Sequence, residues 1–394
     1  MEQITFRDYT IQKPYIDKMT RRDTWVKFDY DNLYPERVLE LVNSSPLQKS
    51  ILESKKTYLL GAGLEPTEEN IYTPNMFESW IELIEKMVND YVYLNAMACQ
   101  VILNESANRF SFFYQPVSQV RLGNYNERNF IEKAYLCTDW RRAQKNRNVV
   151  EIPMFGSETP QKGKAYLLYF RPEQVGEYYY SIPDFMCASN YIMADAAMSQ
   201  YYNNYLHNNF SANLAIRFPV EPTEEKKQEL YDNLVKSFGG AENAGNILCL
   251  FGESGVVPEI SAIENVNADL YNSVADIIKL ALVSANRLTS PILAGIVTST
   301  GFSSKSDEMI AAYTLYKLTV INSARAFVLK CFNKLLEMNG HGRVLKFIDF
   351  DIRKEFEGQT EQNNNVEDKG NAVDQEDEEN KNTKEEEVTD GEDK

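Results

Sequence analysis

The sequence has very little histidine and cysteine, which excludes most sites that are built on these side chains. His207 and His341 are the only histidines in 394 residues, and neither has a partner at metal-ligand spacing. The five cysteines lie far apart and form no C-x-x-C pair. This spacing predicts neither a disulfide framework nor a thiolate metal site, and it suits a reducing cytosol.

Motifs for phosphate binding and for nucleophilic catalysis are also missing. No Walker-type phosphate loop and no G-x-S-x-G elbow occurs. Residues 61–63 begin like a dinucleotide-binding fingerprint, but Pro66 stands at the sixth position, so we interpret them as a tight turn. Carboxylates are plentiful, yet without geometry they do not indicate a hydrolase dyad. The sequence therefore predicts a protein that is not an enzyme and that binds no metal or cofactor.

Long apolar runs are absent as well. No stretch of 18 apolar residues occurs, so we predict no membrane span. The first ten residues include Glu2, Arg7 and Asp8 with no apolar run behind them, which is not typical of a signal peptide. We expect a soluble intracellular protein.

Acidic residues predominate, and their distribution along the chain is uneven. Asp and Glu number 58 against 41 Lys and Arg, a formal charge of -17. Residues 357–394 contain 15 acidic residues and 4 lysines, so they carry -11, and the other 356 residues carry only -6. Tight binding of nucleic acid needs clustered basic side chains, which this balance does not supply. The most basic stretch, 140–147, is interpreted as a solvated hairpin tip.

Helical periodicity and short β-type segments alternate along the chain and predict an α+β fold. Helices are predicted over 35–60, 76–93, 184–209, 223–238, 267–288 and 307–338, and strands over 98–103, 110–114, 117–122, 130–136, 165–170, 213–218, 246–251 and 344–352. Two long helices thus flank a small β-α-β unit. The first, 184–209, is rich in Ala and Ser, which favours packing between neighbouring copies. The β-branched residues 319–321 predict a bend in the last helix.

Several segments resemble those of tailed-bacteriophage portal proteins, the rings at one capsid vertex through which DNA is packaged. They are N-L-Y-P at 32–35, K-K-T-Y-L-L-G-A-G at 55–63, Y-Y-Y-S-I-P at 178–183, N-A-G-N at 243–246, S-P-I-L-A-G at 290–295 and the segment 302–308. Their order and spacing carry the resemblance, which covers most of residues 30–352. It implies an α+β subunit with a mixed α/β wing, two long stem helices, a small β-α-β clip, a tunnel loop and a long C-terminal helix.

The resemblance also implies a division of the chain. The expected parts are an N-terminal arm at 1–25, the wing at 26–183, stem helices at 184–212 and 263–288, the clip at 213–262, the tunnel loop at 289–306, a long wing helix and strand at 307–352, and a disordered acidic tail at 353–394. The helical crown of many family members is absent or much reduced. In the tunnel loop, the residues expected to face DNA are Thr298, Ser299, Thr300, Phe302, Ser303, Ser304 and Lys305.

As function, the resemblance implies a conduit for double-stranded DNA. Homo-oligomeric rings of about twelve copies would form in the host cytoplasm and reside at the capsid vertex of the virion. The expected partners are double-stranded DNA, bound weakly and without sequence specificity, the large terminase, the major capsid protein and head-tail adaptor proteins, with no membrane. A conduit must not hold DNA, because every basic side chain on a phosphate adds attraction that translocation has to break. Two other interpretations stay open: another head-tail connector, or an acidic hydrolase that uses carboxylates.

Overall fold

A computed structural model describes residues 24–66, 71–106, 108–145, 147–176, 179–207, 214–218, 223, 226–229, 232, 247–251, 259–262, 268–296 and 306–350. The chain divides into two compact units. The first unit takes Met1–Lys56 and Tyr72–Leu288, and the second takes Thr57–Ile71 and Thr289–Lys394. The domain boundaries expected from the sequence remain predictions, and the predicted acidic tail lies outside the described residues.

The described elements alternate between helices and short strands. The α-helices are α1 (Tyr34–Ser44), α2 (Pro46–Leu60), α3 (Trp80–Leu94), α4 (Ser189–His207), α5 (Ala268–Ala285), α6 (Ser306–Tyr316) and α7 (Asn322–Met338). The strands are β1 (Gly63–Pro66), β2 (Met97–Leu103), β3 (Phe110–Tyr114), β4 (Val120–Leu122), β5 (Lys133–Leu136), β6 (Val150–Pro153), β7 (Ala165–Phe170), β8 (Leu214–Phe218), β9 (Ile247–Phe251), β10 (Glu259–Ala262) and β11 (Leu345–Ile348). The α+β class predicted from the sequence is confirmed.

Helix α3 begins later than the apolar spacing predicts. The prediction placed its start at Met76, whereas the helix begins at Trp80 because Ser79 forms a capping box with Glu82. The Glu82 carboxylate accepts a hydrogen bond from the Ser79 amide at 2.7 Å, and the Ser79 hydroxyl accepts one from the Glu82 amide at 3.5 Å. This pair satisfies amides that the first helical turn leaves open. Met76 and Phe77 are consequently exposed rather than part of the core.

Two small antiparallel sheets and helix α3 form the core of the first unit. Strand β2 lies between β3 and β7, and β4, β5 and β6 form a meander. Helix α3 packs against β2 through fully buried side chains, Leu83, Ile84, Met87 and Val88. Each such side chain contributes about 1.5–3 kcal/mol when it is fully buried. Strand β6 was not predicted from the sequence.

The predicted β-α-β unit is present in the described residues. Strands β8 and β9 pair in parallel, with Leu214 opposite Ile247, and helical residues 226–229 lie between them in sequence. Parallel neighbours require a crossover connection, so the pairing confirms this topology. Strand β10, which was not predicted, adds to β8 in the antiparallel direction.

The two long helices of the first unit pack against each other. Helix α4 follows a 3₁₀ turn at Asp184–Ala188, where the sequence predicted regular α-helix, and it contacts α5. Small residues of this region, Ala188, Ser189 and Ala196, are buried in the same chain. They therefore permit close packing within the subunit.

In the second unit, a short strand pairs with a strand near the end of the described chain. Strands β1 and β11 are antiparallel, with Gly63 opposite Ile348. Helices α6 and α7 are joined by a π-helical turn at Lys317–Ile321, at the β-branched cluster where the sequence predicted a bend. In the described part of the chain, no helix is long and apolar enough to span a membrane.

Candidate functional site

The predicted DNA-facing residues cannot be placed against DNA from this structure. All of them lie outside the described residues: Thr298, Ser299, Thr300, Phe302, Ser303, Ser304 and Lys305. The structure does describe residues 289–296 and the start of α6 at Ser306, which flank this segment on both sides. The candidate site is therefore the anchor of the predicted loop, a set of contacts within the second unit.

The first part of the loop is fixed by a short turn and a side-chain hydrogen bond. The Thr289 hydroxyl donates to the carbonyl oxygen of Ala312 in α6 at 2.7 Å. Pro291–Ala294 form a 3₁₀ turn in which Leu293 is buried. Gly295 then ends the turn with a φ of 71°, a conformation that glycine adopts without strain.

Tyr58 ties this turn to the end of helix α2. Its hydroxyl donates to the Leu293 carbonyl at 2.9 Å, and its ring lies 5.4 Å from that of Tyr313 and 6.1 Å from that of Tyr316. Burial, together with the neighbouring Tyr313, raises the pKa of Tyr58, so the hydroxyl keeps its proton. The portal-like segment 55–63 thus contributes a loop anchor, which its sequence alone did not reveal.

A buried arginine holds the end of helix α2 from the other side. Arg325 donates from Nε to the Leu59 carbonyl at 2.8 Å and from Nη2 to the Tyr58 carbonyl at 2.9 Å. Its Nη1 forms an ion pair with Asp349, which also pairs with Lys317. Although burial opposes it, hydrogen bonds from Lys317 and Arg325 lower the pKa of Asp349. The arginine caps helix carbonyls that would otherwise lack donors.

Gly61 allows the chain to turn from α2 into β1. Its φ is 61°, and a Cβ atom added there would stand 2.1 Å from the carbonyl oxygen of Ile348. That same oxygen accepts a hydrogen bond from the Ala62 amide at 2.9 Å. The interpretation of residues 61–63 as a tight turn is confirmed, and it excludes phosphate binding by a helix N-terminus at this position.

Two other portal-like segments belong to a buried network in the first unit. The side chain of Arg121 is completely buried. It donates to the Asn32 side-chain oxygen at 2.8 Å, to the Asn32 carbonyl at 2.6 Å and to the Ser118 carbonyl at 2.7 Å. It also lies 4.8 Å from the ring of Trp140. Sequence reasoning missed Arg121, although a single arginine inside the apolar strand β4 was a usable signal.

Tyr180 completes this network. Its hydroxyl donates to the Val26 carbonyl at 2.6 Å and accepts from the Leu122 amide at 2.9 Å, while its ring stacks on Phe28 at 4.3 Å. Residues 179–181 of the Y-Y-Y-S-I-P segment, the buried part that the structure describes, therefore contribute to the core of the first unit.

The basic stretch 140–147 only partly agrees with its prediction as a solvated tip. Trp140 is buried beside Trp25 and Tyr135, because its large apolar ring fills this small cluster. The side chains of Arg141 and Arg142 are exposed, and Arg141 forms an ion pair with Glu40 at 2.6 Å.

Helices α4 and α5 carry few charges. Helix α4 contains no lysine or arginine, and its only charged residue, Asp195, accepts hydrogen bonds from the Ser45 hydroxyl at 2.6 Å and the Leu47 amide at 3.2 Å. The only basic residue of α5 is Lys279, which pairs with Asp276 at 2.6 Å. Neither helix therefore presents a basic stripe.

Both helices expose large apolar or aromatic side chains instead. On α5, Val274, Ile277 and Leu280 are 38%, 56% and 60% exposed and follow each other at three-residue spacing. On α4, Tyr191 and Tyr202 are each 42% exposed. No group of three or more His, Cys, Asp or Glu side chains that could hold a metal ion occurs among the described residues.

Comparison with known proteins identifies the fold. No protein-family model matches the chain, and no curated protein matches its sequence. A chain in the virion of a native gene transfer agent particle is similar in structure, with a TM-score of 0.53 and 11% identity over 91% of both chains. A chain in the neck of the native particle, computed with C12 symmetry, has a TM-score of 0.52 and 14% identity over 83% of this chain and 88% of that one.

A weaker likeness is to an HK97-family phage portal protein from Corynebacterium diphtheriae. Its TM-score of 0.36 and 13% identity, over 69% of this chain and 83% of that one, are too low to carry an argument. The likeness to the virion and neck chains is sufficient for the fold, since it extends over most of both partners. The chain has the fold of these particle chains, and the α+β class implied by the sequence is confirmed.

Proposed function

We propose that this protein is a portal subunit, a structural and non-enzymatic component of a ring at the capsid vertex of a virion. The ring passes double-stranded DNA during packaging and ejection. The observation that carries the proposal is the shared fold over 91% of this chain and of a chain in a gene transfer agent virion. The C12 symmetry of the neck that contains a similar chain supports a ring of about twelve copies.

The exposed apolar residues of helix α5 support the ring. Val274, Ile277 and Leu280 remain in contact with water in the single subunit. Burial of one such side chain is worth about 1.5–3 kcal/mol, so their stripe favours contact with a neighbouring copy. The exposed tyrosines of α4 offer a surface of suitable chemistry, because aromatic residues are enriched in protein interfaces.

The distribution of charge supports a conduit rather than a clamp. Helix α4 has no basic residue, and residues 289–304 contain no charged side chain before Lys305. A duplex that passes these segments would release few counterions, and it would therefore be held weakly. We assign the segment Thr298–Lys305 to the DNA-facing loop. The contacts of Tyr58 and Arg325 are the anchor of this loop.

The same proposal assigns roles to the predicted clip and wing. The predicted clip, 213–262, binds the large terminase during packaging and head-tail adaptor proteins afterwards, while the wing contacts the major capsid protein. Assembly takes place in the host cytoplasm before the ring enters the virion. The alternative is a head-tail connector that never binds the terminase, and the neck location of the similar chain also supports it. Binding of the large terminase distinguishes a portal from such a connector.

The oligomeric state tests the proposal directly. We expect native mass spectrometry and negative-stain images of the purified protein to show rings of about twelve copies with a hole wide enough for duplex DNA. The double variant Ile277→Asp/Leu280→Asp should dissociate the ring, whereas Val150→Asp, at a position that is 62% exposed in the wing, should leave it intact. A stable monomer of the unmodified protein at high concentration would contradict the proposal.

A second experiment tests the loop assignment. We expect Ser303→Lys/Ser304→Lys to reduce the amount of DNA packaged, since two added positive charges attract phosphates, while ring assembly stays normal. The neutral pair Ser303→Ala/Ser304→Ala, which replaces the same two residues without adding charge, is the matched control. Normal packaging by the lysine variant would show that this segment does not face DNA.

A further inference from the structure

A groove beside helix α7 in the second unit has no role in the proposed conduit. It encloses about 400 Å³. Ala326 and Leu329 contribute its apolar part, and Lys330, Lys334 and Arg343 contribute positive charge. The lining of the groove therefore combines apolar and basic side chains.

The positive charge of the groove is only partly compensated. Lys330 and Lys334 are one helical turn apart, so they lie on the same face of α7, and both are exposed. In the ranges that the structure describes, neither forms an ion pair. Arg343 donates to the Glu337 carboxylate at 3.1 Å. Three basic side chains thus face one acidic side chain.

A buried amide supplies an independent indication of a ligand. Asn333 lines the same groove and is only 9% exposed, and its Oδ1 atom has no hydrogen-bond donor. Buried polar atoms nearly always have a hydrogen-bond partner, because an unpaired acceptor loses its water without compensation. A partner for this atom must bring an N–H or O–H group, and the Asn333 side chain must turn toward the groove to meet it, because its Oδ1 atom is not in contact with solvent.

These two features together select an acidic peptide. Carboxylates of such a peptide form ion pairs with the lysine amines, and one of its backbone N–H groups donates a hydrogen bond to the Asn333 side chain. A DNA backbone supplies the negative charge but has no donor for the Asn333 oxygen, since phosphate oxygens only accept and deoxyribose has no 2′-hydroxyl. The groove is therefore better matched to a polypeptide than to DNA.

The chain itself carries such a peptide a short distance beyond its described part. Residues 371–380 (N-A-V-D-Q-E-D-E-E-N) contain five acidic residues and no basic residue. They follow Phe350, the last described residue, by 21 positions, so the connecting chain is long enough to reach over about 25 Å. Such a tether keeps the local concentration of the peptide high, on the order of millimolar.

We propose that the groove of α7 is a docking site for the chain's own acidic segment 371–380. Its carboxylates pair with Lys330 and Lys334, and the Asn333 side chain turns toward the groove so that one of the segment's amides donates to Asn333 Oδ1. Docking neutralises the positive charge of this groove with charge that the protein itself supplies. The proposal does not depend on the ring, and it applies equally to a free subunit.

Carbodiimide coupling of the full-length protein tests the docking. The reagent joins a carboxylate to a lysine amine and takes up the water that is lost, so it records which lysines the segment contacts. We expect mass spectrometry to find segment 371–380 linked to Lys330 or Lys334 at least five times more often than to Lys346. Lys346 is also exposed and is nearer to the segment along the chain, so it is the matched control. An even distribution over these lysines would overturn the proposal.

Protection of the segment from a glutamate-specific protease is the second measurement. We expect Lys330→Gln/Lys334→Gln to be cleaved within 371–380 at least three times faster than the unmodified chain, and Asn333→Leu to show a smaller increase. Lys27→Gln/Lys346→Gln removes the same charge from exposed positions elsewhere and should leave the rate unchanged. Equal rates in all variants would refute docking, and an unchanged rate in Asn333→Leu alone would refute the hydrogen bond to Asn333.

Discussion

Replacement of Arg325 by leucine should destabilise the second unit far more than loss of an ordinary surface charge. The side chain is only 8% exposed, and its guanidinium is the donor to the Tyr58 and Leu59 carbonyls. Leucine fills part of the volume but donates nothing. The end of helix α2 would therefore keep two carbonyls without their donors, next to the turn that Tyr58 holds.

The size of the effect follows from these contacts. Hydrogen bonds from a charged donor are worth about 1.5–3 kcal/mol each, so two of them account for about 3–6 kcal/mol. The ion pair with Asp349 adds little, because that carboxylate is 43% exposed and screened by solvent. Arg325→Lys keeps the charge but loses the planar fork, and we expect it to cost about half as much.

Amide hydrogen exchange under native conditions measures this loss locally, which matters in a chain with two compact units. The amides of β1 and β11 should exchange roughly 10²–10⁴ times faster in Arg325→Leu, since about 1.4 kcal/mol corresponds to a factor of ten. Arg343→Leu removes an arginine that is 80% exposed and should change the rates by less than about threefold. An increase below tenfold in Arg325→Leu would refute the role assigned to the guanidinium.

Two further substitutions test backbone geometry and a buried carboxyl group. Gly61→Ala should lower the free energy of unfolding by more than about 2 kcal/mol, because its Cβ would collide with the Ile348 carbonyl. Gly340 is also at positive φ but has open space around it, so Gly340→Ala should lower it by about 1 kcal/mol. Equal melting temperatures of the two variants would contradict this prediction. Burial raises the pKa of Asp90 to about 7, despite a hydrogen bond from the Val117 amide. The folded state thus holds a proton that the unfolded state releases near pH 4, so stability should fall as pH rises from about 4 to about 7. Asp90→Asn should reduce the difference between urea midpoints at pH 5 and pH 7.5, and an unchanged difference would refute the prediction.

Elements with strong local signals were predictable from the sequence. The break between α1 and α2 follows from Pro46, and α5 extends over 268–285 where apolar spacing predicted 267–288. The prediction placed the start of α3 too early because it followed only the apolar spacing, which extends back to Met76. The capping box of Ser79 and Glu82 sets the first helical turn, and both residues stand in the sequence at the required interval. Local chemistry was decisive there, and periodicity alone was misleading.

Short strands that depend on distant partners were not predictable. Strand β1 reads G-L-E-P, which lacks β-branched and aromatic residues, and it forms because β11 pairs with it from almost 280 positions away in the chain. The same limit applies to the loop anchor. The segment 55–63 stood out by resemblance, but its contact with Arg325 joins residues 266 positions apart, and no local pattern encodes such a contact.

The location of the arginines connects these structural findings with the proposed conduit. Arg121 and Arg325 are buried, and their guanidinium groups donate hydrogen bonds to backbone carbonyl oxygens. These two arginines therefore cannot contact a phosphate. The single lysine of α5 is paired with Asp276, and α4 has no basic residue. A net charge of -17 alone would be compatible with an acidic surface that still contains a local basic track for DNA. In the described parts of helices α4 and α5 no such track exists. A duplex beside these helices would meet hydroxyl, amide and apolar groups. Such a surface favours movement of the duplex over tight binding.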